Sequence, residues 1–375
     1  MSHENPNPLN QMNLLKTSII FGLCLIGQIG LSQSQKGIWL TDVASNALDS
    51  KEGIEEVVQR CKSYDIDQIY VVVWNRGYTL YPSEIMEKEF GKKVAPRFAE
   101  RDMLQELIEV AHAADLKVHA WFEFGFSSSY QEEDGGHILR AKPEWKAIDN
   151  EGKLVSKNGF QWMNAFDPEV QRFLLSLITE VVKNYDIDGV QGDDRLPANP
   201  STAGYDDFTV SLYQKKHDGQ TPPTDYKDSL WVDWRSKKLN LFAKKIYETV
   251  KITDPKVVVT MAPSIYPWSK AEYLQDWPTW VENGWVDAII PQVYRYDIDA
   301  YTATLDANLE FMPKDKRTTL IPGVLLKVND YVPSRRFLKK MIKANRERGL
   351  DNEVFFFYEG LKEHERFFSK QYAKL

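Results

Sequence analysis

Two adjacent carboxylates, Asp193 and Asp194, are the residues of this sequence best suited to do chemistry. They close the segment YDIDGVQGDDR, in which a short apolar strand follows a long helical pattern. In a barrel of parallel strands the chemistry gathers at the carboxyl ends of the strands, so a strand that ends in Asp-Asp is typical of half of an acid/base site. Asp also caps helices and turns loops, and one of the two residues can have that structural role. The pattern favours cleavage of a carbohydrate.

A second carboxylate, Glu123, ends the third predicted strand. Side-chain alternation along that strand places His119, Trp121 and Glu123 on one face, with Glu123 nearest the mouth of the barrel. His119 lies deeper in the strand, and a satisfied core histidine is a better interpretation of it than a catalytic base.

The remaining strand ends carry further polar groups. Alternation groups Gln191 with Asp193 on the fourth strand and Gln292 with Tyr294 on the sixth, and Glu359 comes just past the eighth. A purely structural interpretation does not predict so many polar groups at one mouth.

These positions give a set of expected catalytic roles. We expect Asp193 to be the nucleophile or base, because it should point inward at a strand end. For the acid we prefer Glu359, on the opposite side of the ring, to Glu123, which neighbours Asp193 and could instead hold that residue or a sugar hydroxyl. Asp194, which begins the loop, is the fourth candidate. A helix cap or a salt bridge is the structural alternative for Glu359.

Seven further residues are expected to line the sugar subsites. Aromatic rings stack on the apolar faces of sugars, although most Trp residues in a large barrel fill space between helices and strands, and core packing is the alternative for Trp74 and Tyr294. The expected substrate-binding residues are Trp74, Arg76, Tyr81, Trp121, Asn164, Gln292 and Tyr294.

Strand-like and helix-like segments alternate along the chain. This alternation would bring the strand ends that carry the candidate residues to one side of a sheet. Near-continuous apolar strands separated by helices indicate parallel pairing, and a count of eight favours a closed (β/α)8 TIM barrel of the α/β class over an open sheet. The predicted strands are Gly37–Thr41, Gln68–Trp74, Lys117–Phe124, Gly189–Asp193, Val257–Ala262, Asp287–Tyr294, Thr319–Leu325 and Glu353–Tyr358.

Length and loops fit one barrel domain. The 375 residues, 43% of them hydrophobic, suffice for eight strand-helix units with long loops, although two ordinary domains are the competing interpretation. The longest connections follow strands 2, 3 and 4, on the side where strands end, which is how a cleft is built. No Gly-rich phosphate loop follows the first strand, so a nucleotide site is not expected.

Composition excludes several other classes of function. A net charge of -7 without a basic stretch argues against nucleic-acid binding. No cluster of His and acidic residues has the spacing of a zinc site, so we expect no metal, no cofactor and no metal-dependent deacetylase chemistry. We expect a monomer whose partner is a glycan substrate.

The N-terminus resembles a secretory signal. Lys16 precedes an apolar run from Ile19 to Leu31, and small and polar residues follow. We therefore expect residues 1–35 to be a signal peptide with a short leader, residues 36–375 to be the barrel, and the mature protein to be secreted or periplasmic without a membrane span. Leu23 is large where a lipid-attachment motif at Cys24 needs a small residue, so a lipid anchor is not favoured. Cleavage would leave Cys61, predicted to lie in the core, as the one thiol.

Six stretches resemble one known family, in the same order along the chain. They are VVVWNRGYTLYPS; ADLKVHAWFEFG; KPEW; Asn164 before DPEVQRF; YDIDGVQGDD; and WVDAIIPQVY. In the first of them Arg76, Tyr81 and Ser83 fit an arginine followed by Tyr-x-Ser. The resemblance covers most of the chain, from about Gly37 to Gly360. The sequence therefore resembles the glycosyl-hydrolase-like TIM-barrel family 10, once known as a domain of unknown function.

The resemblance implies a TIM barrel at a bacterial envelope that acts on glycans, and a characterised branch cleaves peptidoglycan strands stripped of their peptides. This chain departs from the family pattern at three positions. Arg195 follows Asp-Asp where Tyr is usual, Ala165 replaces a common Pro, and no Trp follows Tyr294. The substrate can therefore differ from that of the characterised branch. A barrel that binds glycan without cleaving it is the alternative function.

Overall fold

The computed structural model describes residues 36–372. The predicted signal peptide and leader, residues 1–35, lie outside the described residues. The eight barrel strands, labelled β1 to β8 in chain order, are Lys36–Leu40, Gln68–Val72, Lys117–Phe122, Gly189–Asp193, Val258–Ala262, Ala288–Ile289, Gly323–Leu325 and Glu353–Phe356.

All neighbouring strands in this sheet run parallel. The hydrogen-bonded order runs from β6 through β5, β4, β3, β2, β1 and β8 to β7. Two parallel bridges, Ile289 with Leu320 and Gln292 with Gly323, then connect β6 to the segment of β7. The strands therefore form a ring, and the predicted α/β TIM-barrel class is confirmed.

The strands are buried because helices cover the outside of the ring while side chains fill its inside. Every residue of β1, β2 and β4 is buried. Burial on both faces explains why these strands appear in the sequence as continuous apolar runs rather than as an alternating pattern.

Two of the barrel strands, β6 and β7, are shorter than the sequence suggests, and a proline lies next to each. The sixth strand was expected to extend over residues 287–294, but regular pairing ends at Ile289, and Pro291, which has no backbone N–H, follows. The seventh was expected from residue 319, but Lys314–Thr319 forms a 3₁₀ helix and Pro322 precedes the strand. The number of strands was thus predicted correctly, and the extent of these two was not.

Helices return the chain from each strand to the next. Their amino ends are capped as their sequences suggest: Ser50 accepts a hydrogen bond from the backbone N–H of Gly53, and Asp167 caps the helix that starts with Pro168. The helices α1 to α13 are Lys51–Ser63, Glu84–Phe90, Met103–Ala113, Gly136–Ala141, Pro168–Asn184, Asp207–Gln214, Ser229–Thr253, Trp268–Tyr273, Trp277–Glu282, Ile298–Glu310, Arg335–Glu347, Glu359–Glu363 and Glu365–Lys370. None of the helices within residues 36–372 is both long and apolar enough to cross a membrane.

The long connections carry small structures of their own. After β2 the chain forms a hairpin of Trp74–Asn75 and Tyr78–Thr79, followed by α2 and a 3₁₀ turn, Pro96–Phe98. After β3 it forms a three-stranded antiparallel sheet of Ser127–Tyr130, Ser156–Lys157 and Phe160–Trp162, together with α4 and a 3₁₀ turn, Pro143–Trp145. These insertions stand at the carboxyl ends of the strands and build the walls around the mouth of the barrel.

Polar and aromatic side chains fill the inside of the ring. The indole N–H of Trp39 donates to Gln191 Oε1 at 2.6 Å, and Gln191 donates to Thr260 Oγ1 at 3.1 Å. His119 is buried and stacks on Tyr70 with ring centroids 4.5 Å apart. Burial lowers the pKa of His119 to about 4, so its imidazole is neutral at physiological pH.

Candidate active site

A pocket of about 190 Å³ lies inside the mouth of the barrel, above this layer. It collects side chains from the ends of strands that are far apart in the sequence, as expected for the functional end of a barrel. The lining residues are Trp39, Trp121, Glu123, Phe160, Asp193, Asp194, Arg195, Ala262, Gln292, Tyr294 and Phe356.

Asp193, the last residue of β4, is 2% exposed at the base of this pocket. Its Oδ1 accepts hydrogen bonds from Gln292 Nε2 at 3.0 Å and from the backbone N–H of Asp194. Its Oδ2 accepts a hydrogen bond from Arg195 Nη2 at 3.1 Å. The carboxylate is therefore held in one orientation by three donors.

Glu123 follows the end of β3, the neighbouring strand, and enters the same pocket. Asn75 Nδ2 donates to its Oε2 at 2.7 Å. Two residues further on, Gly125 has a φ of 48°, and a Cβ there would collide with the backbone oxygen of Arg195. This glycine lets the loops after β3 and β4 pass in contact, which brings Glu123 beside the Asp-Asp pair.

Arg195 connects the three carboxylates of the pocket. Its Nη2 lies 3.1 Å from Asp193 and 3.7 Å from Glu123, and its Nη1 lies 3.1 Å from Asp194. The guanidinium also stands 4.7 Å from the ring centroid of Phe160, and its Nε donates to the backbone oxygen of Glu123 at 2.9 Å. One cation thus faces three acids, of which Asp193 is buried and Glu123 and Asp194 are partly exposed.

Burial changes the acidity of this cluster. It raises the pKa of Glu123 to about 7; Arg195 opposes this shift, whereas Asp42 and Asp194 add to it. Burial, with the charge of Asp194 next in importance, also raises the pKa of Asp193 well above its ordinary value. Carboxylates this close titrate as a group, so the cluster retains a proton at a pH where exposed carboxylates have lost theirs.

The proton fits best on Glu123. Asp193 is closer than Glu123 to the guanidinium of Arg195 and accepts three hydrogen bonds, whereas the side chain of Glu123 accepts one, from Asn75. Donors to a carboxylate favour its ionised form. This difference in donors favours the proton on Glu123 and the charge on Asp193, while burial raises the pKa of both groups.

Two polar groups remain available in the pocket wall. The indole N–H of Trp121 is buried and has no hydrogen-bond partner among residues 36–372. Tyr294 lines the opposite wall, where burial and the acids Asp193 and Asp194 raise the pKa of its phenol well above the ordinary value, so the hydroxyl keeps its proton. Both groups could donate a hydrogen bond to a sugar hydroxyl.

The structure brings together most, but not all, of the residues expected at the site. Glu123, Asp193, Asp194, Trp121, Gln292 and Tyr294 all line the pocket. Glu359 does not. It is the first residue of α12 and accepts a hydrogen bond from Ser45 Oγ at 2.8 Å, with Lys362 3.4 Å away, in a separate cavity. The carboxylate that shares the pocket with Asp193 is Glu123.

Three other residues expected to bind substrate lie outside the pocket, in the packed interior. Trp74 is fully buried, and its indole N–H donates to the backbone oxygen of Gly125 at 3.0 Å. Tyr81, also fully buried, donates to Glu180. Asn164 accepts a hydrogen bond from the backbone N–H of Phe166 at 3.0 Å in the turn before α5. All three support the walls rather than face the pocket.

Arg76 has a different position, at the exposed tip of the hairpin after β2, with a φ of 49°. It does not line the pocket, but its charge acts on two nearby acids. Burial raises the pKa of Asp42 and of Glu123, and the positive charge of Arg76 lowers both.

Sequence reasoning did not select five residues that line the pocket, namely Trp39, Phe160, Arg195, Ala262 and Phe356, or the polar residues Asn75 and Asp42 beside it. Arg195 lies two residues past the end of β4 and Asn75 three residues past the end of β2, so a search extended a few residues beyond the strand ends would have found them. Asp42 follows β1 and accepts a hydrogen bond from Asn75 Nδ2 at 3.0 Å. Phe160 comes from the small antiparallel sheet, and nothing in the sequence indicates that its ring reaches the pocket. Within residues 36–372, no group of three or more His, Cys, Asp or Glu residues is placed to hold a metal ion.

Known proteins resemble this chain in sequence. The profile of the family described as Glycosyl hydrolase-like 10 matches residues 34–328. Glycosyl hydrolase DigH of Escherichia coli (strain K12) is 24% identical over 315 residues, which cover 71% of this chain and 69% of that protein. Glycosyl hydrolase YngK of Bacillus subtilis is 25% identical over 315 residues, which cover 74% of this chain and 58% of that protein.

Solved structures resemble the chain in fold. The glycoside hydrolase domain of PgaB (BpsB) from Bordetella bronchiseptica superposes with a TM-score of 0.65 at 13% identity, over 90% of this chain and 98% of that domain. The catalytic domain of beta-amylase from Paenibacillus polymyxa gives a TM-score of 0.63 at 11% identity, over 91% and 98% of the two chains. At these identities the likeness concerns the fold, which these glycosidases share.

Proposed function

We propose that this chain, which belongs to the family Glycosyl hydrolase-like 10, is a glycoside hydrolase that cleaves a polysaccharide or a peptidoglycan-type glycan with Glu123 and Asp193. The observation that carries the proposal is that both carboxyl groups contact one guanidinium nitrogen, Arg195 Nη2, at 3.7 Å and 3.1 Å. The contacting oxygens of the pair are therefore at most about 7 Å apart, a limit that allows the separation of about 5 to 5.5 Å found in retaining glycosidases.

In the proposed reaction Glu123 acts as the acid. It gives its proton to the glycosidic oxygen as the bond to the anomeric carbon breaks, and Asp193 stabilises the positive charge that develops on the sugar ring, as nucleophile or as base for a water molecule. The raised pKa of Glu123, about 7, keeps part of the population protonated at neutral pH. The ordinary pKa of a glutamate would leave almost none.

Arg195 would set the balance between these two roles. Its closer contact with Asp193 favours an ionised Asp193, and its longer contact with Glu123 leaves the proton on Glu123. Asp194 would hold the guanidinium in place through its own contact at 3.1 Å. Gln292 and Tyr294 would orient the sugar beside Asp193, and Trp121 would supply its free N–H.

The proposal is tested by incubating the protein and two variants, Asp193→Asn and Glu123→Gln, with a panel of bacterial and plant glycans in heavy-oxygen water. A hydrolase leaves one heavy oxygen at each new reducing end, which mass spectrometry detects. We expect labelled products from the wild type and at least about a thousandfold slower release from either variant. Equal release from Glu123→Gln would remove that residue from the role of acid.

A glycan-binding barrel without activity is the second candidate, and one observation favours it. The guanidinium of Arg195 stands among the three carboxylates and beside Phe160, in the space that a reacting sugar would enter. For this candidate, Asp193→Asn would bind glycan as tightly as the wild type, and neither protein would release product. For the hydrolase, the side chain of Arg195 must move when substrate enters.

We further propose that residues 1–35 direct secretion, so that the barrel works as a monomer outside the cytoplasm or in the periplasm. The apolar run and the small residues that follow Lys16 support this proposal. Mass spectrometry of the protein recovered from culture medium or periplasm would give the cleavage position, and its elution in size-exclusion chromatography would give its oligomeric state.

A further inference from the structure

A cavity of about 470 Å³ opens at the end of the barrel opposite the Asp193 pocket, and we call it the lower cavity. Its lining includes Gln68, Lys117, Val258 and Ala288, which are the first residues of β2, β3, β5 and β6. The lower cavity therefore lies at the amino ends of the strands. Cavities that hold small ligands usually measure about 300 to 1,000 Å³, so a small molecule has room here.

His119 lines the lower cavity and has no hydrogen-bond partner. The sequence favoured a satisfied core histidine, and the residue is indeed only 2% exposed. Neither Nδ1 nor Nε2, however, is bonded to any group within residues 36–372. Buried polar groups in native proteins are bonded to protein, water or a ligand, because leaving them unpaired costs free energy. The neutral imidazole therefore has hydrogen-bonding capacity left for an occupant of the cavity.

Two glycines make room for the rings that line the lower cavity. A Cβ on Gly189, the neighbour of His119 in β4, would stand 2.1 Å from His119 Nδ1, and a Cβ on Gly37 would stand 2.6 Å from the ring of Tyr70. The two rings stack on each other, and the Tyr70 hydroxyl donates to Gln68 Oε1 at 3.0 Å. The wall is thus fixed before a ligand arrives, so binding costs it little entropy.

The buried polar side chains of the lower cavity are uncharged. They are Gln68, Tyr70, His119 and Thr260, each at most 4% exposed. The ionised residues of the lining are half-buried or exposed, and they carry both signs; Lys251, for example, pairs with Asp287 at 2.7 Å. A charged ligand would leave its charge among uncharged groups, which is costly. Hydroxyl groups both donate and accept, as these side chains do, and carry no charge.

A buried side chain separates the lower cavity from the pocket. Thr260 lines the lower cavity and Trp39 lines the pocket, and the fully buried Gln191 is hydrogen-bonded to both. A molecule in the lower cavity therefore does not meet the carboxylates Glu123 and Asp193. It would be a ligand of a second site and not a substrate of the first.

We propose that the lower cavity binds a small, neutral, polyhydroxylated molecule, that is, a free sugar or a sugar alcohol. Nε2 of His119 would bond one of its hydroxyl groups, since Nδ1 packs on Gly189, and Gln68 and Thr260 would bond others. The inference goes beyond the proposed glycosidase function and does not rest on it, because the carboxylates of the pocket take no part.

The test follows the ring nitrogens of His119 by NMR of the whole chain, with histidine labelled with heavy nitrogen, at neutral pH. The signals of His119 are identified through the contact of its ring with Tyr70. The probes are glucitol, which is neutral, and gluconate, which has the same carbon chain with a carboxylate at one end. Neither contains a glycosidic bond, so turnover does not enter. We expect glucitol to shift the signals of His119 in a saturable way and gluconate to bind at least about tenfold more weakly.

His119→Phe and a matched control locate the binding by isothermal titration calorimetry with glucitol. Phe keeps a ring that can stack on Tyr70 but has no nitrogen, so affinity should fall about fivefold or more, as the loss of one hydrogen bond requires. The control is His364→Phe, because His364 is also buried with its Nε2 unpartnered within the described range but does not line the lower cavity. We expect this control to leave the affinity for glucitol unaltered.

Three results would overturn the inference. Signals of His119 that stay unchanged at every glucitol concentration would mean that water alone fills the lower cavity. An equal or stronger response to gluconate would contradict the preference for a neutral ligand, and equal affinities of the wild type and His119→Phe would place the binding elsewhere. The NMR titration uses the wild type, so it decides the question even if His119→Phe fails to fold.

Discussion

Replacing Glu123 by Gln should remove a pH-dependent loss of stability. The pKa of Glu123 rises from 4.5 to about 7 on folding, first because of burial, with Arg195 opposing and Asp42 adding to the shift. A group with a raised pKa in the folded state contributes stability that is fully present below the unfolded pKa and is lost as the pH rises through the folded pKa. The window for Glu123 is therefore about pH 4.5 to 7.

The size of the effect follows from that shift. At about 1.4 kcal/mol for each pKa unit, wild-type folding loses about 3 kcal/mol across the window through this group. Gln does not titrate, and its side-chain oxygen can still accept the hydrogen bond from Asn75. The free energy of unfolding of Glu123→Gln relative to wild type should thus rise by about 3 kcal/mol from about pH 4 to about pH 8, or about 4 °C in Tm.

Urea denaturation of both proteins at several pH values measures this difference. Glu109→Gln is the control, because Glu109 is exposed on α3 and is not among the residues that line the pocket. The reasoning is refuted if the wild type and Glu123→Gln keep a constant difference in unfolding free energy from acid to alkaline pH, since Glu123 would then titrate as an exposed carboxylate does.

Three further predictions concern the supports of the site. Arg195→Met should cost about 3 to 5 kcal/mol of unfolding free energy at pH 8, where it leaves unpaired buried carboxylates, and clearly less at pH 5; urea denaturation giving equal losses would contradict this. Gly125→Ala should cost about 2 kcal/mol or more by the same assay, because φ is 48° and the new Cβ meets the backbone oxygen of Arg195; an unchanged midpoint would count against it. Tyr81→Phe should cost about 1 kcal/mol through its lost bond to Glu180 and leave glycan affinity in calorimetry unaltered; a weaker affinity at full stability would return Tyr81 to the site.

The fold could be predicted from the sequence because its strands are buried on both faces. Continuous apolar runs such as QIYVVVW, separated by capped helices, indicate parallel strands under a cover of helices. The limits of β6 and β7 were not predictable with the same rule. Their ladders are interrupted near Pro291 and Pro322, so apolar residues continue where regular pairing does not.

The candidate site was predictable only where a strand end determines the position of a side chain. Alternation along β3 and β4 placed Glu123 and Asp193 at one mouth, and the structure has them there. Glu359 lies three residues past the end of β8: the strand ends at Phe356, and Glu359 is the first residue of α12. Spacing alone does not say whether a residue after a strand points into the ring or into the next helix.

The positions of side chains in the long loops after β2 and β3 could not be predicted from the sequence. Trp74 and Tyr81 have the residue types of a sugar site, but the hairpin after β2 turns them into the interior. Phe160 reaches the pocket through a three-stranded sheet whose position depends on contacts far apart in the sequence. Such placement depends on tertiary packing, which no local pattern encodes.

The most direct test of the account compares the wild type with Asp193→Asn for release of oligosaccharides from glycans, using the same purified form, residues 33–375, at pH 6 to 7. Asn preserves the shape of the side chain and can still accept a hydrogen bond, so the fold should remain while the ionised carboxylate is lost. The account predicts product from the wild type and release at least about a thousandfold slower from the variant. Equal release from both proteins would contradict it, because the chemistry would then not pass through the carboxylate at the end of β4.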